Sequence, residues 1–398
     1  MNLRICWLVI LMTSKPQFGG EKVKLGDVCT LVLGQSPISS TCNACGQGLP
    51  FFQGNADFGR INPEATSWCT EPKKIAEPGD ILLSVRAPIG AVNIALEKCC
   101  IGRGVAAIRP NSRIIQTDYL KHVLVSYRSQ LETKGTGSTF KAVGKKVLSE
   151  FEIPICSLNG QSQIENQLNQ ILDCIENCKM EIEQLDQLVK SRFVEMFGDP
   201  CLTDRSLLPK KPLHSFCELK IGPFGSLLHK EDYVSGGFPV VNPSHIVDGR
   251  IRTDSDLTIN AAKYREMESY QLFKGDVVLG RRGEIGRCAV VDEEGLLCGT
   301  GSMILRPEPS LCRSDYLQRV ISFPSFAAAL EKEAVGVTMK NLNVKIIGSA
   351  VVSLPPLSLQ EEFADFVAQV DKSGFAVRQQ IEKLQLLYDS LAQEYFGD

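Results

Sequence analysis

Apolar positions along this chain follow two different periods, and the change from one to the other happens twice. The first stretch of each half carries short apolar or alternating runs, such as Asp80–Val85 and Asp276–Leu279, punctuated by Gly, Pro, Asn and Ser. Runs of that length between turn residues predict strands. The Gly-Asp before each run, and Gly90 or Gly286 after it, read as turn glycines with a structural role. Helices are expected around Asp118–Glu132 and around Asp315–Glu333. Each half then switches to a spacing of 4-3-4-3. In the first it runs Ile164, Leu168, Ile171, Ile175, Cys178, Ile182, Leu185 and Val189. In the second it runs Phe363, Val367, Val370, Gly374, Val377, Ile381, Leu384 and Tyr388. A heptad seam of that length predicts a long helix that buries one stripe against another helix, and the other copy is the obvious partner.

The halves are copies. LGDVCTLVLG from Leu25 matches LHSFCELKIG from Leu213 at an offset of 188, and GDILLSVRAPIGAV from Gly79 matches GDVVLGRRGEIGRCAV from Gly275 at 196. AAIRP and MILRP, then TDYL and SDYL, follow at 197; GSTFK and GVTMK, then the FGD endings at Phe197 and Phe396, follow at 199. Order is kept while the offset drifts only between blocks, which is how one fold with variable loops behaves. Residues 1–20 lie outside the repeat. The apolar Ile5–Met12 there is too short to span a bilayer and is followed by no small-x-small cleavage site, so it reads as a leading strand or a ragged start.

Composition alone would turn attention away from nucleic acid, because the formal net charge is −3. The average hides a division. Residues 159–199 and 358–398 each hold 8 acidic and 3 basic side chains; removing those two segments of −5 leaves +7 for the rest of the chain. Basic globular parts suit phosphate, and acidic helices suit a spacer that stays off it. The 15 cysteines show no disulfide-type spacing and fit reduced thiols of a cytoplasmic protein. Cys42 and Cys45 form one C-x-x-C with Cys69, Cys99 and Cys100 in reach by sequence, but no second pair follows, so no metal site is expected.

Candidate phosphate contacts in the first copy are Arg86, Arg103, Lys134, Lys141, Lys145 and Lys146, with Thr139 in the GSTFK block. In the second they are Arg281, Arg282, Arg287 and Lys340, with Thr338 in GVTMK. Recurrence at matched positions favours Arg86 with Arg282 and Lys141 with Lys340. Base reading needs paired donors and acceptors, which PFFQGNADF supplies through Gln53 and Asn55, and FPVVNPSHIVDGR through Asn242, Ser244 and His245. Catalytic chemistry has no counterpart. There is no Asn- or Asp-Pro-Pro-aromatic motif for a flipped base, no glycine-rich cofactor loop after a first strand, no G-x-x-x-x-G-K-[ST], and the four histidines do not cluster.

With these blocks in duplicate, the chain from about residue 21 to 398 resembles the specificity subunits of type I restriction-modification systems. The likeness rests on GDILLSVRAPIG and GDVVLGRRGEIG, GSTFKAVGKKVL and GVTMKNLNVKII, IPICSLNGQSQI and LPPLSLQEEF, and the FGD endings. It implies an α+β fold: two β-rich target recognition domains joined by two long antiparallel coiled-coil helices in a pseudo-twofold tandem repeat. The expected division is an extension over 1–20, domains over 21–158 and 200–357, and spacer helices over 159–199 and 358–398. The function implied is non-catalytic recognition of a bipartite double-stranded DNA site. The helices would dock modification methyltransferase subunits, and restriction/translocase subunits would join them. No cofactor is expected in this chain, S-adenosylmethionine, ATP and Mg belonging to the partners. The alternative is a coiled-coil scaffold whose two globular domains bind protein. The target sequence and gap, the stoichiometry and the presence of a nuclease partner are not legible in one chain.

Overall fold

In the computed structural model, which describes residues 21–136, 141–201, 208–225, 227–334 and 341–397, the sequence repeat is a repeat of sheets. The chain forms two compact units, Met1–Met180 with Val377–Asp398, and Glu181–Ala376. In the first, an antiparallel four-stranded sheet runs in the order Cys29–Leu33, Val105–Pro110, Ile81–Ser84, Val92–Ile94. A five-stranded sheet of shorter strands follows the order Cys42–Asn43, Trp68–Cys69, Leu49–Phe52, Cys99–Ile101, Ile75–Ala76, and pairs Phe51 with Cys100 and Phe52 with Ile101 in parallel. The second unit repeats both. Its four-stranded sheet is Cys217–Ile221, Ser302–Pro307, Val277–Gly280, Cys288–Val290, and its five-stranded sheet pairs Val240 with Leu297 and Val241 with Cys298 in parallel. An extra hairpin, Ile246–Val247 with Arg250–Ile251, is present among the described residues of the second unit alone.

The predicted runs became the central strands. Ile81, Leu82 and Leu83 are fully buried, as are Val277, Val278 and Leu279. Each such side chain contributes about 1.5–3 kcal/mol. The flanking glycines hold left-handed backbone, with φ of 85° and 86° at Gly79 and Gly90 and of 94° and 89° at Gly275 and Gly286, where any Cβ would be strained. The aspartate after each first glycine is buried and fixes the strand entrance. Asp80 accepts Arg109 Nε and Nη2 at 2.7 and 2.8 Å and the Glu77 amide at 2.9 Å. Asp276 accepts Arg306 at the same two distances and the Phe273 amide at 2.8 Å.

Where one helix was expected in each copy there are two. The first pair, Thr117–Ser126 and Arg128–Thr133, breaks at Tyr127; the second, Ser314–Ser322 and Pro324–Glu333, breaks at Phe323. Pro324 explains the second break, since proline lacks the amide a continuing helix needs and pushes its predecessor to extended backbone, with φ −64° and ψ 131° at Phe323.

Two helices of 40 residues, Leu158–Phe197 and Leu357–Phe396, carry the seams. Ile164, Leu168, Ile171 and Ile175 are buried, while Ile182 and Leu185 are half-buried. Phe363, Val377 and Leu384 are buried, and Val367, Val370 and Ile381 half-buried. The pairing is antiparallel. In the first unit the end of the second helix meets the start of the first, with Tyr395 Oη donating to Gln167 Oε1 at 2.5 Å. In the second unit the end of the first helix meets the start of the second: Arg192 Nη2 lies 2.8 Å from Glu362, and the Phe193 and Phe363 rings are 5.5 Å apart.

His122 ties this packing together in the first unit. Asn169 Oδ1, 2.9 Å from Nε2, can only accept, so the proton sits on Nε2 and Nδ1 accepts from Tyr388 Oη at 2.9 Å. Burial pushes the imidazole from the usual 6.5 down to about 4. The unfolded chain therefore binds a proton that the folded one refuses. Stability present above pH 6.5 is lost as the pH falls toward 4, and levels off below that, by up to about 3 kcal/mol. Thermal melts between pH 7.5 and 4 should show this slope, and His122→Gln should flatten it. An unchanged slope in that variant would assign the acid sensitivity to other groups.

Candidate nucleic-acid interface

Three chain segments meet at one end of the first unit's sheets. The strand Leu49–Phe52 buries Phe51 and Phe52, then leaves the sheet at Gln53, which is exposed. A single turn of 3-10 helix over Asn55–Asp57 follows, with Asn55 exposed. Asp57 shapes it, its Oδ2 accepting the amides of Gln53 at 2.5 Å and Gly54 at 3.2 Å. The second segment is the turn Gly102-Arg103-Gly104. Gly104 packs so close to the Gln53 carbonyl that a Cβ would lie 2.2 Å from it. Arg103 is exposed, and its Nε donates to Ser36 Oγ at 3.2 Å. The third is the turn after the central strand, where Ser84 Oγ lies 2.9 Å from the Arg86 carbonyl and 2.8 Å from that of Pro88.

Gln53, Asn55, Arg86 and Arg103 thus line one cleft of about 580 Å³ with Ser36, Asp57 and Ser84. Among the described residues neither arginine forms an ion pair, which leaves both cations free for an anion. Ala142 bridges the backbone of Arg86, so exposed Lys141 is next along the chain from that bridge without lining the cleft. Lys134, Lys145 and Lys146 are exposed and do not line it. Thr139, Thr338 and Lys340 lie outside the described residues.

The second unit places its candidates less uniformly. Asn242 leaves the equivalent strand half-buried, Ser244 is exposed in the 3-10 turn Pro243–His245, and Arg282 is exposed with its backbone bridged to Asn341. His245 does not present a reading edge, contrary to the sequence expectation. It is 8% exposed, with Nδ1 2.9 Å from the Val240 carbonyl and 3.2 Å from the Asn242 amide, so it shapes the loop from inside. Arg281 is likewise turned inward at 7% exposure, donating Nε to the Leu342 carbonyl at 3.0 Å. Half-buried Arg287 is committed to Glu284. A larger cleft of about 1010 Å³ opens at the far end of this central strand around Phe273, Asp276 and Arg306, but Glu218, Glu308 and Asp315 line it too, which suits phosphate poorly.

Sequence reasoning missed Ser36, Asp57 and Ser84 in the cleft, and the signal was weak, since each is an ordinary loop residue. Cys42 sits opposite Cys69 in the five-stranded sheet, and burial pushes the Cys99 and Cys100 thiols up to about 12. Among the described residues no group of three or more His, Cys, Asp or Glu is arranged to hold a metal, and no helix is long and apolar enough to cross a membrane.

A family model described as the type I restriction modification DNA specificity domain matches the chain twice, over residues 19–187 and 210–385. The chain is 41% identical over 172 residues to a type I restriction enzyme MjaX specificity subunit of Methanocaldococcus jannaschii, a match that spans 43% of this chain and 40% of that relative's length. It is 21% identical over 330 residues to the type I restriction enzyme EcoBI specificity subunit of Escherichia coli, covering 77% of this chain and 69% of the relative. Its fold is similar to the type I restriction-modification S subunit of M. genitalium, with TM-score 0.53 and 17% identity over 96% of this chain and 97% of the other. It is also similar, at TM-score 0.61 and 17% identity over 95% and 97%, to a chain solved to show complex assembly and conformational transition of the type I R-M system.

Proposed function

Because the chain belongs to the type I restriction modification DNA specificity family, we propose that it is the non-catalytic reader of a bipartite double-stranded DNA site for a methyltransferase complex. The observation that carries this reading is the convergence of Gln53, Asn55, Arg86 and Arg103 on one cleft. Amide side chains match adenine edges, arginine matches guanine, and unpaired cations match phosphate. The second unit repeats the frame, so each unit would read one half-site. The paired helices, acidic on balance, would hold the half-sites apart and dock modification methyltransferase subunits. Those partners would bring S-adenosylmethionine, and restriction/translocase subunits ATP and Mg, since this chain carries no sequence motif for them. The cytoplasm, where thiols stay reduced, is the compartment that fits.

Arg86 and Arg282 recur in both units beside the variable loops, the placement of residues that grip the backbone whatever the sequence. Arg86→Ala with Arg282→Ala and Lys141→Ala should weaken binding to all duplexes alike. The slope of log affinity against log salt should fall by about 0.9 per lost phosphate contact. Titrations of cognate and scrambled duplexes at several salt concentrations measure both. Binding that ignores salt in the unaltered complex would favour the protein-scaffold reading instead.

A further inference from the structure

We infer that the residue between the two glycines of the cleft turn, Arg103 in the first unit and Thr300 in the second, is a specificity-determining position that reads one base of its half-site. This rests on the reading proposed above and names where within it the sequence is read.

The two turns are held identically. The Gly102 amide donates to the Phe52 carbonyl at 2.8 Å and the Gly299 amide to the Val241 carbonyl at 2.9 Å, tying each turn to the strand exit. Val105 N donates to Gly102 O at 3.0 Å and Ser302 N to Gly299 O at 3.0 Å, which closes each turn on itself. Val85 N donates to Gly104 O and Arg281 N to Gly301 O, both at 2.9 Å, which ties each turn to the central strand's end. A further glycine crowds each from the other side: a Cβ on Gly34 would lie 2.0 Å from the Gly102 carbonyl, and one on Gly222 2.0 Å from that of Gly299. Backbone pinned at this many points cannot move to suit a ligand, so the middle side chain is delivered to a fixed place. That place lies between the strand exit bearing Gln53 or Asn242 and the turn bearing Arg86 or Arg282.

The frame is common, and what stands on it divides in two. Arg86 and Arg282 are the same residue at matched places, as a sequence-independent contact requires. Arg103 and Thr300 differ, as do Gln53 and Asn242, as positions that read different bases would. Arg103 is exposed, and the Nε bond to Ser36 orients its guanidinium while leaving Nη1 and Nη2 to donate as a pair. Paired donors fit the O6 and N7 of guanine in the major groove. Thr300, half-buried with one hydroxyl, cannot make that bidentate contact.

The test is methylation mapping on a randomised plasmid library with the full chain assembled with its modification subunits. Arg103→Thr should relax one guanine of one half-site by roughly ten- to a hundredfold while the other half-site stays unchanged. Arg103→Lys should relax the same base, because one ammonium cannot make the paired contact. Thr300→Arg should introduce a guanine preference at one position of the other half-site. If both Arg103 variants kept the wild-type site, or Arg103→Thr weakened every sequence equally while Arg103→Lys restored it, the position would be shown to touch phosphate or nothing, and the inference would fall. A wild-type complex that marks no two-part site would instead overturn the underlying function.

Discussion

Inserting one helical turn in each long helix, four residues after Cys178 and four after the matching Val377, is expected to lengthen the unread gap of the proposed two-part site by one to two base pairs and leave both half-sites as they were. Four residues add about 6 Å of helix at 1.5 Å each, against about 3.4 Å per base pair along the duplex. Each insertion lies inside an unbroken helix, Leu158–Phe197 or Leu357–Phe396. Both insertions are far in sequence from Gln53, Asn55, Arg103, Asn242 and Thr300, so none of the side chains proposed to read bases changes its neighbours along the chain. A four-residue step advances the seam by slightly more than one turn, which a coiled coil absorbs by local unwinding. Methylation mapping of the insertion variant distinguishes the outcomes. A changed half-site with the old gap would mean that the helices do not set the spacing.

The second large effect is expected from one buried amide in each unit. Gln161 is fully buried at the start of the first long helix. Its Oε1 accepts the Gln116 amide at 2.8 Å, and its Nε2 donates to the carbonyls of Ile114 and Cys156, both at 2.9 Å. Gln360 repeats the arrangement at the start of the second, accepting from Arg313 at 2.8 Å and donating to Leu311 and Pro355 at 3.0 and 2.8 Å. Each glutamine side chain is itself fully buried and satisfies three backbone groups around the helix start, which are partly shielded from water. Gln161→Leu keeps the volume and strands all three, at about 1–3 kcal/mol for each unsatisfied group. Set against a total stability of about 5–15 kcal/mol, the loss should lower the melting temperature of the first unit by several degrees. Differential scanning calorimetry should show one transition displaced downward in Gln161→Leu and the other in Gln360→Leu. A melt within about 2 °C of wild type in Gln161→Leu would show that the amide does not hold the helix start.

Much of this was legible along the chain because it is local or periodic. The central strands are continuous apolar runs, the turn glycines flank them, and the seams keep their spacing from Ile164 and from Phe363. What stayed hidden depends on residues far apart in sequence. Asp80 and Arg109 both sit in repeated blocks, yet nothing in either block says that one binds the other. The five-stranded sheets use strands as short as Cys42–Asn43 and Trp68–Cys69, too short to show alternation at all. The cleft was readable as a set of residue types and unreadable as a place, since Gln53, Arg86 and Arg103 converge only through sheet register. His245 and Arg281 show the reverse, polar residues that look available in sequence and are turned inward by backbone carbonyls.

The sequence by itself determined that there are two like units and two long helices, because duplicated blocks and a heptad period survive in one dimension. It could not decide which helix end belongs to which unit. Only the tertiary structure did, by placing Phe197 against Tyr316 in the second unit, with ring centroids 5.0 Å apart, and Phe396 against Tyr119 in the first, 5.6 Å apart. Phe197 and Phe396, the phenylalanines of the two FGD endings, therefore each pack into the other copy's domain. The physical reason is that which helix ends lie side by side is set by packing between residues far apart in sequence, and an apolar terminus is buried by whatever antiparallel pairing brings to it.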